Sequence, residues 1–264
     1  MPTSSLLPLR MTIPAADGLL LRGTLSYPRA VAGKRSPLAV LAHQYPATQD
    51  SFAPLVADLL SSGYATLAFD MRGHGKSTRI SGHSGAADLV IDTPVGLTAR
   101  DFANAFMSSI AKVAFPHIAD DIVRVASWGA AQNFVDSRRI LLVGASVGGT
   151  GVLLAASRLG EALMGVVTLG AAGALAHGEY APTLIREQCV GTTVPYLLAS
   201  SEGDPFDGAA SVRSWSEGAG QVTPLVVAGD GHAMAIYYQV RSRVTAFVRA
   251  RLKPSRPASK RKKR

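Results

Sequence analysis

The sequence predicts an α/β protein built on an open, mostly parallel sheet, and three observations support this fold class. Short runs of consecutive apolar residues recur along the chain and end at turn residues, as expected for strands covered on both faces. Stretches with apolar residues at helical spacing separate these runs, and such alternation is typical of a parallel sheet. Residues 12–27 alternate in polarity and turn at Ala16-Asp17-Gly18, which predicts an antiparallel hairpin before the parallel strands.

The apolar runs provide the predicted parallel strands. They occupy residues 38–42, 65–69, 140–143, 165–169, 194–199 and 224–227. Because functional groups of an open α/β sheet gather at the carboxyl ends of its strands, we expect the catalytic or binding residues just after these runs.

Apolar residues at helical spacing predict the intervening helices, which are expected on both faces of the sheet. They occupy residues 51–62, 99–114, 120–132, 147–159, 209–217 and 236–252. Asp50 is the expected N-cap of the first helix. Residues 77–116 are long for a strand-to-helix connection, so we expect an insertion there that lies over the strand ends as a candidate pocket wall. One domain over residues 1–252 accounts for these elements.

The net charge of +9 belongs mainly to the end of the chain. Residues 253–264 carry seven positive charges and no negative one, and the rest carries 20 basic and 18 acidic side chains, a balance of +2. Such a Pro- and Ser-containing tail is expected to be disordered. It could contact nucleic acid or anionic lipid nonspecifically, although a solubilising tail without a partner is the favoured interpretation.

Cysteine usage and hydropathy bound the cellular location. Cys189 is the only cysteine, so the chain can form no internal disulfide, which suits a reducing compartment. No apolar run approaches the roughly 18–20 residues that cross a bilayer, and residues 1–10 lack the features of a secretory signal. The cytoplasm is therefore expected. No His/Cys/Asp cluster has metal-ligand spacing, so neither a metal nor another cofactor is predicted.

Ser146 is the strongest candidate for a reactive group. An apolar run ends in Gly144-Ala145-Ser146-Val147-Gly148, and a helical pattern follows directly. A strand–turn–helix of this kind strains the backbone of the central residue and exposes its side chain, and the flanking glycines let neighbouring backbone approach. A serine presented in this way is a candidate nucleophile, which needs a histidine base and a carboxylate to orient that base.

Those partners are expected at later strand ends. His232 follows the run 224–227 in a glycine-containing loop, whereas His83, His117 and His177 lie in unpatterned loops and are expected at the surface. Asp204 is the preferred carboxylate, because Gly203 gives it backbone freedom and Pro205 fixes the exit of the turn. Glu202 is the second choice and Asp207 the third. The chain order is then serine, acid, histidine.

Two backbone N–H groups are predicted to stabilise an oxyanion. The first is that of Val147, at the start of the helix after the serine, where the helix dipole also favours negative charge. The second is that of Tyr45, in the turn after the run 38–42, since Pro46 has no N–H to donate.

Four blocks of residues follow one another in a characteristic order. They are His43-Gln44-Tyr45, Asp70-Met71-Arg72-Gly73-His74-Gly75-Lys76-Ser77, Gly144-Ala145-Ser146-Val147-Gly148-Gly149, and Gly203-Asp204 with Gly231-His232. Together the chain resembles the α/β-hydrolases, and more narrowly the serine esterases and dienelactone-hydrolase-like members without a large cap domain. Gln44 departs from the family's usual glycine after the histidine. Dienelactone hydrolases proper have cysteine where Ser146 stands, and the nucleophilic aspartate of related dehalogenases and epoxide hydrolases is absent.

The resemblance implies Ser146 as nucleophile, Asp204 as acid, His232 as base, and Tyr45 and Val147 as oxyanion donors. It also implies that His43 and the turn at residues 70–77 are architectural. The function to expect is that of a serine carboxylesterase acting on small or short-chain esters, with that small-molecule ester as its expected partner. A thioesterase, lactonase or amidase would use the same residues, and a hydrolase-fold protein that binds a ligand without turnover is the alternative of a different class.

Along the helical pattern of residues 99–114, Phe102, Phe106 and Met107 are apolar. Apolar residues at helical spacing more often belong to the core, so the core is the favoured location of these three, with contact to a pocket as the alternative that the insertion allows.

Overall fold

One eight-stranded sheet organises the protein. The structure is a computed structural model that describes residues 8–28, 35–83, 88–96 and 98–252. The strands are β1 (Leu9–Pro14), β2 (Leu20–Ser26), β3 (Ser36–Ala42), β4 (Ala65–Asp70), β5 (Val135–Ala145), β6 (Leu163–Leu169), β7 (Tyr196–Ser201) and β8 (Val222–Val227). Their spatial order is β1-β2-β4-β3-β5-β6-β7-β8.

The pairing confirms a mostly parallel sheet with an antiparallel hairpin at one edge. β1 pairs with β2 and β2 with β4 in antiparallel fashion, and the remaining neighbours are parallel. In the register of β3 and β5, Ala42 lies opposite Gly144. The turns that follow these two strands therefore lie side by side at the carboxyl edge of the sheet.

Seven helices connect the strands in the described part of the chain. They are α1 (Ala53–Ser61), α2 (Ala99–Lys112), α3 (Ile118–Ala130), α4 (Val147–Ala156), α5 (Ala181–Gly191), α6 (Gly208–Ser216) and α7 (Tyr237–Leu252). Six of them fall on predicted helices, and α5 was not predicted. The prediction of Asp50 as N-cap is wrong, because a short 3-10 helix, Gln49–Phe52, precedes α1, which has Pro54 in its first turn.

The sheet is buried between two layers, which explains its continuous apolar strands. Helices α1 and α7 pack on one face of the sheet, where Leu141 and Val143 of β5 lie. Helices α3 to α6 pack on the other face, where Leu142 lies. Successive side chains of a strand point to opposite faces, so every position of a doubly covered strand must be apolar. No helix in the described ranges is long and apolar enough to cross a membrane.

The insertion at residues 77–116 contributes α2, and the sequence itself specifies where this helix begins. The Thr98 hydroxyl accepts the Asp101 N–H at 3.1 Å, and the Asp101 carboxylate accepts the Thr98 N–H at 3.1 Å, a reciprocal capping box. Residues 84–87 and 97 of the insertion lie outside the described residues. So do residues 253–264, and the expected disorder of the basic tail stays a prediction.

A buried ion pair joins the turn after β4 to α3. The Arg72 guanidinium is 1% exposed and donates from Nε to Asp121 Oδ2 at 2.7 Å and from Nη2 to Oδ1 at 3.2 Å. It also donates to the carbonyl of Val113 at 3.0 Å. This bidentate contact fixes the turn that carries residues 70–77 against the helical layer.

Candidate active site

The turn between β5 and α4 has the strained geometry that the sequence predicts. Ser146 has φ 51° and ψ −125°, a conformation that non-glycine residues seldom adopt. A Cβ on Gly144 would lie 2.4 Å from the carbonyl oxygen of Gly148, and a Cβ on Gly148 would lie 2.3 Å from that of Ala42. Only glycine fits at either position, which confirms the predicted close approach of backbone.

Backbone hydrogen bonds hold this strained turn in place. The Ser146 N–H donates to the carbonyl of Leu169 at 3.1 Å, and its own carbonyl accepts from the Thr150 N–H at 3.1 Å. Hydrogen bonds to both its N–H and its carbonyl thus hold Ser146 in this conformation, and a strained residue needs such support.

His232 lies in the loop after β8 and connects two of the other predicted residues. Its Nε2 is 2.8 Å from Ser146 Oγ, and its Nδ1 is 2.9 Å from both carboxylate oxygens of Asp204. The His232 side chain is 17% exposed and that of Asp204 is fully buried. The structure therefore brings the predicted serine, histidine and aspartate together at the carboxyl ends of β5, β7 and β8.

Asp204 is held as an ionised hydrogen-bond acceptor. Burial by itself would raise the pKa of this carboxyl, but the hydrogen bonds that it accepts outweigh burial and lower the pKa below its usual value. These come from His232, from the Phe206 N–H at 2.9 Å and from the Ser200 hydroxyl at 3.0 Å. The alternatives Glu202 and Asp207 are exposed, and Glu202 pairs with Arg213 instead.

The two predicted oxyanion donors border the same serine. Val147 is the first residue of α4, where backbone N–H groups have no acceptor within the helix. Tyr45 follows β3 and lines a cavity together with Ser146. Its hydroxyl donates to the carbonyl of Asp92, which ties the Tyr45 side chain to the insertion.

His43 contacts the backbone of two neighbouring turns. Its Nδ1–H donates to the carbonyl of Gln44 at 2.9 Å, and its Nε2 accepts the Met71 N–H at 2.9 Å. Burial lowers the pKa of His43 to about 4, so its ring is neutral at pH 7 and can accept that N–H. These contacts support the architectural role that the resemblance implies.

The turn at residues 70–77 is closed by its own side chains. Asp70 accepts the N–H groups of Gln49 and Lys76, each at 2.9 Å, and the Ser77 hydroxyl donates to the Asp70 carbonyl at 2.6 Å. His74 donates to the carbonyl of Arg72 at 2.9 Å. Burial, with nearby His43, lowers the pKa of His74 to about 3. These contacts support an architectural role for this turn as well.

The environment of His177 differs from the one predicted. His177 is 9% exposed, which makes the prediction of a surface residue wrong, whereas His83 and His117 are exposed as predicted. Its Nε2 lies 3.0 Å from the carbonyl of Val147 and 2.8 Å from the hydroxyl of Thr150. Burial lowers the pKa of His177 to about 4, so a neutral ring packs behind α4.

A small apolar cavity of about 150 Å³ opens beside Ser146. Its lining residues are Tyr45, Phe102, Ala103, Phe106, Met107, Ser146, Ala172, Gly173 and Phe206. Four of them belong to α2, so the insertion forms a pocket wall as predicted. Phe102, Phe106 and Met107 all line this cavity, which is the alternative that the insertion allowed, and both phenylalanines also pack partly against the core.

Other features of the described ranges offer no competing centre. An open depression of about 550 Å³ lies between α4 and α5, and Ser146 is not among its lining residues. Burial raises the pKa of the Cys189 thiol to about 12, so it stays protonated at neutral pH. Within those same ranges, no three His, Cys, Asp or Glu side chains converge as metal ligands would.

Comparisons with known proteins agree with this architecture. A family model described as the alpha/beta hydrolase fold matches residues 37–188. A search of curated protein sequences gives no significant match.

Several solved structures are similar in fold. Est1E from Butyrivibrio proteoclasticus, solved with ferulic acid bound, shares 18% identity at a TM-score of 0.64, covering 92% of this chain and 99% of that one. A dienelactone hydrolase from Anabaena variabilis shares 17% at a TM-score of 0.58, with 92% and 96% covered. The alpha/beta hydrolase GrgF from Penicillium sp. shares 14% at a TM-score of 0.65, with 92% and 97% covered.

Proposed function

Because the chain belongs to the α/β-hydrolase fold family, as the family match over residues 37–188 establishes, we propose that it is a serine carboxylesterase. One observation carries this proposal, namely the continuous hydrogen-bonded chain from Ser146 Oγ through His232 to Asp204. A serine hydroxyl is unreactive at neutral pH unless a base removes its proton during attack, and this chain supplies that base.

In the first half of the reaction, Ser146 Oγ attacks the ester carbonyl while its proton moves to His232 Nε2. The imidazolium that forms is stabilised by ionised Asp204, which also holds the proton on Nδ1 and so fixes the tautomer. Collapse of the tetrahedral intermediate breaks the bond to the alcohol oxygen, which takes the proton from His232 Nε2. The acyl group stays on Ser146.

The backbone N–H groups of Val147 and Tyr45 stabilise the negative charge of the tetrahedral oxygen. A preorganised donor of this kind lowers the barrier by about 3 kcal/mol. In the second half of the reaction, water gives its proton to His232 Nε2 and attacks the acyl carbon. Departure of Ser146 Oγ, which regains the proton, releases the carboxylic acid.

The size of the cavity supports small esters as substrates. A volume of about 150 Å³ beside Ser146 holds a short or compact acyl group, and α2 borders the space in which a longer chain would extend. The preference for small esters therefore rests on the volume of the cavity and on the position of α2 at its wall.

Labelling by a fluorophosphonate probe tests the proposal. The wild type is expected to be labelled covalently, and Ser146→Ala is expected to lose both the label and ester hydrolysis. Ser61→Ala is the matched control, since this exposed serine only donates to the carbonyl of Ala57. A wild type that resists the probe would favour a hydrolase-fold protein that binds without turnover.

A further inference from the structure

We infer that the cavity beside Ser146 binds a single planar aromatic ring in the acyl part of the substrate, so that arylalkanoic and other aromatic carboxylic esters are preferred. This inference rests on the proposed esterase function and specifies its substrate class. Four observations about the cavity support it. They concern the side chains that line the cavity, the contacts that support those side chains, the size and polarity of the cavity, and its position relative to His232.

Four of the nine residues that line the cavity are aromatic. Tyr45, Phe102, Phe106 and Phe206, here called the aromatic wall, come from three separate segments of the chain and all line the cavity. The Tyr45 ring centroid lies 5.4 Å from that of Phe102 and 5.2 Å from that of Phe106. Phe102 lies 5.1 Å from Phe206. These are spacings at which aromatic rings attract one another edge-to-face or tilted, and a further ring can join such a set.

Neighbouring residues support two members of the aromatic wall, Tyr45 and Phe106, whereas Phe206 is 39% exposed. The Tyr45 side chain is fixed at its hydroxyl by the Asp92 carbonyl and at its ring by His74, whose centroid lies 5.8 Å away. Phe115 supports Phe106 from behind, with centroids 5.7 Å apart. Binding to such a preformed surface loses little conformational entropy.

The size and polarity of the cavity suit one uncharged ring. An apolar cavity of roughly 150 Å³ is large enough to bind benzene in other proteins, and this cavity has about the same volume. No Asp, Glu, Lys or Arg belongs to its lining in the described ranges. A charged acyl group would therefore lose its hydration without gaining an ionic partner.

The position of His232 indicates that the acyl group, rather than the alcohol, enters the cavity. His232 must reach the leaving oxygen to protonate it, so the alcohol lies on the His232 side of Ser146. The lining as described includes Ser146 and the predicted oxyanion residue Tyr45, but not His232. One lining residue, Phe206, contacts the His232 ring, with centroids 4.5 Å apart, so the cavity borders the leaving-group side at Phe206. Because Ser146 and Tyr45 line the cavity and His232 does not, the ring is assigned to the acyl group.

A pair of methyl esters tests the inference. Methyl phenylacetate and methyl cyclohexylacetate have the same carbon skeleton, and their leaving group is too small to compete for the cavity. The phenyl group withdraws electrons and is less bulky than cyclohexyl, so each kcat/KM is divided by the rate constant for hydroxide-catalysed hydrolysis of the same ester. Followed by titration of the released acid, this corrected kcat/KM is expected to be about 2- to 13-fold higher for the phenyl ester, which corresponds to the roughly 0.5–1.5 kcal/mol of an aromatic pair.

Variants of the aromatic wall locate the origin of that preference. Phe106→Leu and Phe206→Leu are each expected to reduce the phenyl-to-cyclohexyl ratio severalfold, and a ratio does not depend on the fraction of enzyme that is folded. Tyr180→Leu is the control, because this tyrosine is 73% exposed and outside the cavity lining. A corrected ratio near one in the wild type, or an unchanged ratio in both variants, would overturn the inference alone. Hydrolysis of neither ester by a wild type that the fluorophosphonate probe still labels would also overturn the inference alone. A wild type that resists the probe and hydrolyses no ester would overturn the proposed esterase function and this inference with it.

Discussion

His232 Nε2 lies 2.8 Å from Ser146 Oγ, although the two residues are separated by 86 positions in the chain. The parallel pairing of β5, β6, β7 and β8 brings them together, since each strand ends at the same edge of the sheet. The serine turn follows β5 and the histidine loop follows β8. Asp204, after β7, completes the arrangement by holding the far side of the imidazole.

The contact between Asp204 and His232 predicts the effect of Asp204→Asn. The amide is nearly isosteric but can donate to Nδ1, which would place the imidazole proton on Nε2 and leave no base for Ser146. In serine hydrolases with this arrangement such a change lowers kcat by about 10⁴-fold, and we expect a loss of that order here. Ester hydrolysis at pH 7 measures it, with circular dichroism as a check on folding.

Glu202→Gln is the matched control for Asp204→Asn. Glu202 lies two positions away but is exposed and pairs with Arg213, so its neutralisation should change kcat less than twofold, as is typical of surface sites (about 0.5 kcal/mol or less). If the two variants lost activity equally, Asp204 would not be the orienting acid.

The close packing of the serine turn predicts that Gly148→Ala destabilises the protein. The added methyl group would lie 2.3 Å from the carbonyl oxygen of Ala42, and β3 would have to move away from α4. Overpacking of this kind costs about 1–3 kcal/mol of unfolding free energy, which chemical denaturation measures. Esterase activity should also fall, because the same movement displaces Ser146.

Gly191→Ala controls for the general effect of adding a methyl group. A Cβ on Gly191 meets no atom within 4 Å, and the residue ends α5. The unfolding free energy of the Gly191→Ala variant should stay within about 0.5 kcal/mol of the wild-type value or rise slightly. Equal destabilisation by the two alanine substitutions would contradict the packing argument.

The sheet and the reacting side chains could be predicted from sequence because local chemistry specifies them. Apolar runs mark strands buried on both faces, and two glycines around Ser146 mark a turn that only glycine permits. Once the sheet is parallel, the edge at which strand-end residues meet is determined. Asp204 and His232 then follow from the loops after β7 and β8.

The cavity could not be predicted in the same way, because its shape depends on how separate segments pack. Phe102 and Phe106 have the spacing of core residues, and only the position of α2 over the strand ends places them beside Ser146. Phe206 belongs to no sequence motif that would mark it as a cavity residue. His177 lies in an unpatterned loop, and its burial depends on contact with the back of α4. Helix α5 escaped prediction because it buries only one side chain per turn.

The buried pair of Arg72 and Asp121 predicts a large cost when one partner is removed. Both side chains are nearly inaccessible, at 1% and 2% exposed. Asp121→Leu therefore leaves a buried guanidinium whose remaining carboxylate partner is the partly exposed Asp17, 3.1 Å from Nη1. Breaking a buried pair in this way typically costs about 3–5 kcal/mol. Denaturant-induced unfolding measures the change in unfolding free energy.

The double variant Arg72→Leu/Asp121→Leu should recover part of that loss, since it removes both buried charges and leaves only Asp17, which at 35% exposed is accessible to water. Glu217→Leu provides a surface comparison, because the pair of Arg186 and Glu217 is 54% and 75% exposed and should contribute less than about 1 kcal/mol. A cost for Asp121→Leu as small as that of Glu217→Leu would contradict the role of the buried pair.

The three buried histidines predict a loss of stability in mild acid. Burial lowers the pKa of His43 and His177 to about 4, and burial beside His43 lowers that of His74 to about 3, from 6.5 in the unfolded chain. Between pH 6.5 and 4 the unfolded chain therefore binds protons that the folded protein excludes, so the unfolding free energy falls as the pH falls.

Chemical denaturation between pH 6.5 and 5.5, where unfolded carboxylates are still almost fully ionised, should show that proton uptake on unfolding rises from about 1.5 to about 2.5 protons. His177→Gln should reduce this uptake by about one proton, whereas His83→Gln, at an exposed site, should leave it unchanged. An unfolding free energy that is constant across this interval would show that the native state accepts these protons, and the neutral rings described for His43, His74 and His177 would be wrong.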